Sequence, residues 1–232
     1  MGSAKANPAP YDGAGHRARL RQRLFTGGND ALLDHEIIEY LLATAIPRRD
    51  TKPLAKELLR QFGGIGGLFT ADAEALGRIP GMGDGAVATI KIVQAAAIRL
   101  LKADIEERPV LSSWQALLDY LRADMAYRLT EMVRVLHLNS RNILIRDEVM
   151  NEGSIDQAPI YVREVIRRAI DLGSAAIILV HNHPSGDPSP SRQDIAVTKD
   201  IAEAGRRLGI TLHDHIVIGT QGHSSLRNLG LI

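Results

Sequence analysis

A run of six apolar residues, 175–180, leads directly into two histidines, and this feature constrains the fold more than any other in the chain. Gly173 precedes the run and Pro184 follows it, so the run has the length and the boundaries of a buried β-strand. Residues two apart on a strand face the same side of the sheet. His181 and His183 are therefore predicted to leave the strand end as a pair of parallel side chains.

Asp194 follows the histidines after a loop rich in Pro, Ser and Gly, which lets the chain fold back and supply a carboxylate. His181, His183 and Asp194 are a ligand set suited to zinc, and three protein ligands leave the fourth tetrahedral position open for water. This pattern predicts a catalytic rather than a structural site, with one zinc ion per chain. Bound zinc makes hydroxide available near neutral pH, and a nearby carboxylate is then needed to accept the proton.

Two other interpretations of this region stay open. Ser191 and Asp194 have the spacing of a helix capping box, which is compatible with metal binding because a capped helix start would hold Asp194 rigidly. The run 213–215, His-Asp-His, repeats the two-residue spacing of the histidines on the next predicted strand. This run is either a rival ligand set or a group that hydrogen-bonds the metal ligands without binding the metal itself.

Two glutamates are candidates for the proton acceptor. Glu131 immediately precedes a predicted strand over residues 132–139, and Glu164 lies at the start of a predicted helix over residues 163–172. A carboxylate at a strand end beside the histidine strand has the better geometry, so the pattern favours Glu131. The alternative for either residue is an ordinary surface acid.

Hydrophobic periodicity predicts an α/β chain with a helical front part. There, the predicted helices span residues 34–44, 53–62, 72–76 and 85–101. Further along, predicted strands alternate with predicted helices over residues 113–124, 132–139, 143–149, 163–172, 175–180, 193–208 and 210–218, which is typical of a layered α/β domain. We therefore predict a disordered leader over residues 1–16, a helical domain over 17–105 and an α/β domain over 110–232.

Composition excludes several classes of protein. The chain contains no cysteine, which excludes disulfides, thiolate metal ligands and a thiol nucleophile. The apolar runs are far shorter than a bilayer span and the start lacks the apolar segment of a signal peptide, so we expect a cytoplasmic protein without membrane association. Residues 1–105 carry 14 Lys/Arg against 11 Asp/Glu, which permits a nucleic-acid partner without requiring one.

The spacing His181-x-His183, seven residues, Ser191, two residues, Asp194 resembles the JAMM signature of MPN-domain metalloproteins. The longer run HNHPSGDPSPS resembles the bacterial RadC group, whose members are often labelled DNA repair proteins. The flanking sequences Gly-Ser-Ile-Asp, Arg-Glu-Val and His-Asp-His-Ile agree with that group as well. The resemblance covers nearly the whole chain.

This resemblance implies an α/β fold in which an all-helical N-terminal domain precedes a mixed-sheet MPN domain of the JAMM, cytidine-deaminase-like type. It implies zinc bound by the three predicted ligands, Ser191 assisting the oxyanion and Glu131 activating water. The implied reaction is metal-assisted amide hydrolysis, so the expected function is a JAMM-type peptidase or isopeptidase acting on a peptide or protein. Asn182 stands where eukaryotic members usually carry Ser or Thr, so deubiquitinase specificity is not implied.

Residues 76–90 resemble a helix-hairpin-helix element, in which a Pro-Gly-x-Gly turn enters a helix. Glycine amides at a helix N-terminus bind phosphate, so Gly81, Gly83 and the charge of Lys91 are candidate DNA contacts. The other interpretation is a turn between two packed helices with no ligand, and Asp84 beside the turn disfavours phosphate. The alternative function is a DNA-binding accessory protein of repair or recombination, in which the MPN domain is a docking module.

Overall fold

The computed structural model describes residues 13–106, 108–153 and 160–232. The chain divides into two compact units between Gln94 and Ala95. The first unit is helical and the second contains a β-sheet, which confirms the predicted fold class. Most of the predicted leader, residues 1–12, lies outside the described residues, and the first helix already begins at Gly13.

Helices make up the described part of the first unit: α1 (Gly13–Gly27), α2 (Asp34–Ala45), α3 (Lys52–Gln61), α4 (Ile65–Thr70), α5 (Ala73–Gly77) and α6 (Asp84–Glu106), which continues into the second unit. The apolar faces of α2 to α6 share one core, whose fully buried members include Ile38, Leu42, Leu58, Leu68, Leu76 and Ile90. Across the described residues, no helix combines the length and the apolar character that crossing a membrane requires. The helical N-terminal region is confirmed, whereas its assignment as a helix-hairpin-helix domain stays a prediction.

Local sequence explains where α3 ends. Gly63 has a φ of 72°, in the left-handed region that glycine adopts without steric cost. The amide of Gly64 donates to the carbonyl of Leu59 at 2.8 Å, as in a Schellman motif. The predicted stop at these two glycines is confirmed.

The second unit contains a five-stranded mixed sheet, formed by β1 (Met132–Leu138), β2 (Leu144–Glu152), β3 (Ala176–Asn182), β4 (Thr211–Gly219) and β5 (Gly222–Ser225). The strand order is β2-β1-β3-β4-β5. Strands β3 and β4 run parallel, and the other neighbouring pairs are antiparallel. A mixed sheet is what the family resemblance implied for this domain.

Helices cover both faces of this sheet, and β3 is buried along its whole length. On one face, α7 (Trp114–Met125) and the end of α6 pack against Ile178 and Val180. On the other face, α8 (Val162–Asp171) and α9 (Arg192–Arg207) pack against Ile177 and Leu179. Because side chains alternate along a strand, His181 at the end of β3 falls on the α8–α9 face.

Candidate metal centre

The site begins at the end of β3. His181 lies opposite Val133 of β1 and Val217 of β4, and its side chain is completely buried. His183 follows, and its amide donates to the carbonyl of Ile218 at 2.8 Å, so the chain stays attached to β4 just beyond the strand. The His183 side chain is 20% exposed, which opens the site to solvent on that side.

Asp194 is the third residue of α9, and Ser191 caps that helix. The Ser191 hydroxyl accepts the amide of Asp194 at 3.1 Å, and the Asp194 carboxylate accepts the amide of Ser191 at 2.7 Å. The predicted capping box is confirmed. Capping and metal binding are compatible here because the cap fixes the carboxylate in one orientation.

The three predicted ligands converge. One ligand atom from each of His181, His183 and Asp194 lies within 4.8 Å of the others. The two Nε2 atoms are 3.0 Å apart, and Asp194 Oδ1 and Oδ2 lie 3.6 Å and 3.8 Å from the Nε2 atoms of His181 and His183. Ligand atoms about 2.0–2.2 Å from a tetrahedral zinc are about 3.3 Å from one another. The side chains therefore stand close to the spacing that such an ion requires.

Both imidazoles direct Nε2 at the centre of the site. The Nδ1 atom of His183 lies 2.8 Å from the carbonyl oxygen of Asp187. Because a carbonyl only accepts, this Nδ1 carries the proton and Nε2 keeps its lone pair. The Nδ1 atom of His181 is 2.8 Å from Nε2 of His215, so its own Nε2 also faces the other ligands.

The Asp194 carboxyl carries its negative charge at neutral pH. Burial opposes its ionisation, but positive charge on His181, whose place a bound metal ion would take, and the hydrogen bonds of Ser191 outweigh burial and hold the pKa of Asp194 well below its usual value. An ionised carboxylate and nitrogen lone pairs that point at one another are complementary to a cation. The donor set therefore fits a divalent metal ion.

Within the described residues, the His-Asp-His run of β4 does not form a second ligand group. His213 Nε2 is 2.6 Å from the side-chain oxygen of Asn142, and the Asp214 carboxylate accepts hydrogen bonds from β5 and the segment that follows it. His215 instead touches His181, and burial lowers the pKa of His215 well below its usual value. Of the two interpretations that the sequence left open, the geometry supports the second: His215 contacts the candidate ligand His181 without belonging to the ligand group.

Glu131 immediately precedes β1 and is partly buried. Val133 lies opposite His181 in the antiparallel register, so Glu131 and His183 both leave the sheet at this end. Glu131 is not a member of the described ligand group. This placement is compatible with a proton acceptor beside the metal ligands rather than a fourth ligand.

Asn182 connects the ligand strand to Glu131. Its Oδ1 atom accepts the amide of Met132 at 2.9 Å, and its Nδ2 atom donates to the carbonyl of Thr130 at 3.1 Å. These two bonds hold the backbone on both sides of Glu131. The sequence marked Asn182 only as a departure from the eukaryotic pattern, and no local signal pointed to a partner 50 residues away.

Glu164, the other candidate proton acceptor, forms ion pairs with two arginines. Glu164 lies in the first turn of α8 and pairs with Arg167 at 2.8 Å and Arg163 at 3.4 Å. The hydrogen bond from Arg167 lowers the pKa of Glu164. The structure does not bring Glu164 into the ligand group of the described residues.

The predicted DNA contacts lie in the other unit. Gly81 has a φ of 97°, and the carbonyl of Gly83 accepts two amides of α6 at 2.9 Å and 3.0 Å, so both glycines belong to the turn that begins this helix. The Lys91 ammonium donates to the carbonyl of Ala71 at 3.0 Å, just beyond the end of α4. Lys91 is thus bonded to a neighbouring helix end, and DNA binding by this element stays a prediction from the sequence.

Comparison with known proteins covers both parts of the chain. Residues 111–231 match the RadC-like JAB domain family, and residues 14–88 match the UPF0758 N-terminal family. A UPF0758 protein of Rhodobacter capsulatus is 50% identical over 213 residues, which are 92% of this chain and 100% of that relative. The three converging ligands all lie in the range that matches the JAB domain. The chain therefore belongs to the RadC family.

Proposed function

We propose that this chain is a zinc-dependent hydrolase that cleaves a peptide or isopeptide bond with water. The observation that carries this proposal is the convergence of His181, His183 and Asp194. Two imidazole nitrogens and one carboxylate are a recurring ligand set of catalytic zinc, and they leave one position for water. JAB domains are also typical of metallohydrolases, which supports a hydrolytic role.

The reaction adds water across the amide C–N bond and yields a carboxylate and an amine. When bound, zinc would lower the pKa of a water molecule from 15.7 to about 7 and polarise the substrate carbonyl. The Glu131 carboxylate accepts the proton of the attacking water and passes it to the leaving nitrogen. Asn182 holds the backbone at Glu131 in place through its bonds to Thr130 and Met132.

We propose that Ser191 stabilises the oxyanion of the substrate. Its hydroxyl oxygen accepts the amide of Asp194, so its own proton is available to donate outward. Ser191 is exposed and His183 is partly exposed, which supports a substrate that approaches from the surface, such as a peptide or a protein segment. Similarity to the JAMM signature supports an amide as the bond that is cleaved.

Replacement of each glutamate separates the proton acceptor from a surface acid. We would incubate zinc-loaded protein with a peptide mixture and with an ε-linked isopeptide, and detect new termini by mass spectrometry. Glu131→Gln is expected to keep its zinc and to lose about 10²–10⁴-fold in kcat, the usual contribution of a general base. Glu164→Gln is the matched control, and it is expected to cleave like the wild type.

Two results would contradict the proposal. One is a Glu131→Gln protein that binds zinc and cleaves at the wild-type rate, because proton transfer would then not depend on this carboxylate. The other is zinc-loaded wild-type protein that hydrolyses neither the peptides nor the isopeptide.

A further inference from the structure

We propose that Thr198 and His215 are positioning residues that hold His181 in the tautomer with its proton on Nδ1, so that Nε2 is free to bind a metal ion. The inference rests on the zinc site proposed above and extends it to side chains outside the ligand set. Neither side chain touches the reacting atoms, so their effect passes through His181.

The side chains of His181, His215 and Thr198 are joined by a continuous series of hydrogen bonds. His181 Nδ1 lies 2.8 Å from His215 Nε2, and His215 Nδ1 lies 2.6 Å from Thr198 Oγ1. Thr198 Oγ1 then reaches the backbone carbonyl of Asp194, one helical turn earlier in α9. His181, Thr198 and His215 are each 0% exposed, so bulk water does not replace any of these partners.

The backbone carbonyl of Asp194 fixes the donor and the acceptor in each of these hydrogen bonds. The Asp194 carbonyl only accepts, so Thr198 donates its hydroxyl proton there and its oxygen must accept from His215 Nδ1–H. A neutral His215 with its proton on Nδ1 accepts at Nε2, so His181 donates from Nδ1–H. His181 Nε2 is then the unprotonated nitrogen, which is the form that binds metal.

The reverse direction has one cost in the fold and one for metal binding. It would leave the Thr198 oxygen and the Asp194 carbonyl in contact without a proton between them. It would also put the His181 proton on Nε2, where it could bond to His183 Nε2 at 3.0 Å in the metal-free protein but would have to be lost before a metal ion binds. The native arrangement avoids both costs.

The relay, meaning the chain His181–His215–Thr198–Asp194, also joins the elements that carry the ligands. It starts on β3, crosses to β4 and returns to α9 at the residue whose carboxylate is the third ligand. Because the relay begins at His181 and ends at Asp194, two of the proposed metal ligands, it restrains the orientation of the His181 ring relative to Asp194. Partners behind metal-bound histidines typically have this orienting role.

Zinc affinity measured by competition with a chromophoric chelator tests the relay. Thr198→Val removes the hydroxyl at nearly the same volume, and it is expected to weaken zinc binding by about 10–100-fold, as loss of such a supporting partner does. Thr198→Ser keeps the hydroxyl and should bind zinc close to the wild-type value. His215→Gln should weaken binding, whereas His213→Gln, two residues away on the same strand, is the matched control and should not.

Histidine NMR of the metal-free wild-type protein provides a second measurement that does not depend on the variants or on activity. At about pH 8, where imidazoles are mostly neutral, long-range ¹H–¹⁵N spectra are expected to show His181 and His215 with protons on Nδ1. A merely structural role of Thr198 would change stability without changing the His181 tautomer. In Thr198→Val, we expect His181 to populate both tautomers.

The outcomes separate this inference from the proposed function. Equal zinc affinities of wild type and Thr198→Val would overturn the relay, whatever the hydrolytic activity. A metal-free wild type with the His181 proton on Nε2 would overturn it as well. Zinc-binding protein that cleaves no amide would overturn the proposed function, while weaker zinc binding in Thr198→Val would still support the relay.

Discussion

The loop that follows β3 packs so closely on the β4–β5 turn that residue 186 has to be glycine. Gly186 has a φ of 88°, and a Cβ atom there would lie 2.4 Å from the Thr220 hydroxyl oxygen. The same loop carries His183 and the Asp187 carbonyl that sets its tautomer. A side chain at position 186 would therefore bring backbone strain and steric overlap into the loop that carries His183.

Gly186→Ala is expected to lower the free energy of unfolding by about 1–3 kcal/mol, the usual cost of placing a side chain in this backbone region. Weaker zinc binding should accompany it because the His183 loop has to shift. Denaturant unfolding and zinc competition measure the two effects. Gly77→Ala is the control, since a Cβ there meets nothing within 4 Å. An unchanged unfolding midpoint and zinc affinity in Gly186→Ala would refute this account of the loop.

The sequence identified the three side chains that converge in the structure, but not the residues that hydrogen-bond around them. His181 and His183 follow from strand periodicity, and Asp194 follows from the loop and the capping box, so all three are local patterns. Asn182 and Thr198 depend on partners that only the folded sheet brings close, namely the Glu131 backbone and His215. No spacing in the sequence identifies such contacts.

Strand β1 contains a buried histidine that makes stability depend on pH. His137 is completely buried, and its Nδ1 atom is 3.0 Å from the Ser174 hydroxyl. Burial lowers the pKa of His137 from 6.5 to about 4. Below about pH 6.5 the unfolded chain binds a proton that the folded chain does not, so the free energy of unfolding falls as the pH falls.

For His137, this effect amounts to about 3 kcal/mol lost between pH 7 and pH 4. Denaturant unfolding at several pH values should show a shallower pH dependence in His137→Asn than in the wild type, because the variant has no imidazole to titrate. His223→Gln removes an exposed histidine instead and should keep the wild-type slope. Identical slopes for wild type and His137→Asn would show that burial does not depress this pKa.

Besides α1 (Gly13–Gly27), the elements that the sequence missed are two without periodicity of their own. Helix α4 (Ile65–Thr70) contains two glycines, and β5 (Gly222–Ser225) has no β-branched or aromatic residue. Tertiary packing stabilises both: Leu68 of α4 is completely buried, and β5 pairs with β4. The long amphipathic helices and the apolar strands were predicted to within a few residues because their pattern reflects burial directly.

The division between the two compact units falls within helix α6. The sequence predicts a linker at residues 106–109, and that domain division stays a prediction. By compactness, the described residues divide between Gln94 and Ala95 within α6. The last turns of α6 contribute Ile98, Leu101 and Ile105 to the core that α7 shares with the sheet.

The whole account depends on a metal ion bound by His181, His183 and Asp194, and mass spectrometry of the intact, untagged protein under native conditions tests this most directly. We predict one zinc ion per wild-type chain, its loss in both His181→Ala and Asp194→Ala, and its retention in Glu131→Gln. Well-folded wild-type protein that takes up no zinc when zinc is supplied, or alanine variants that keep it, would contradict the central claim.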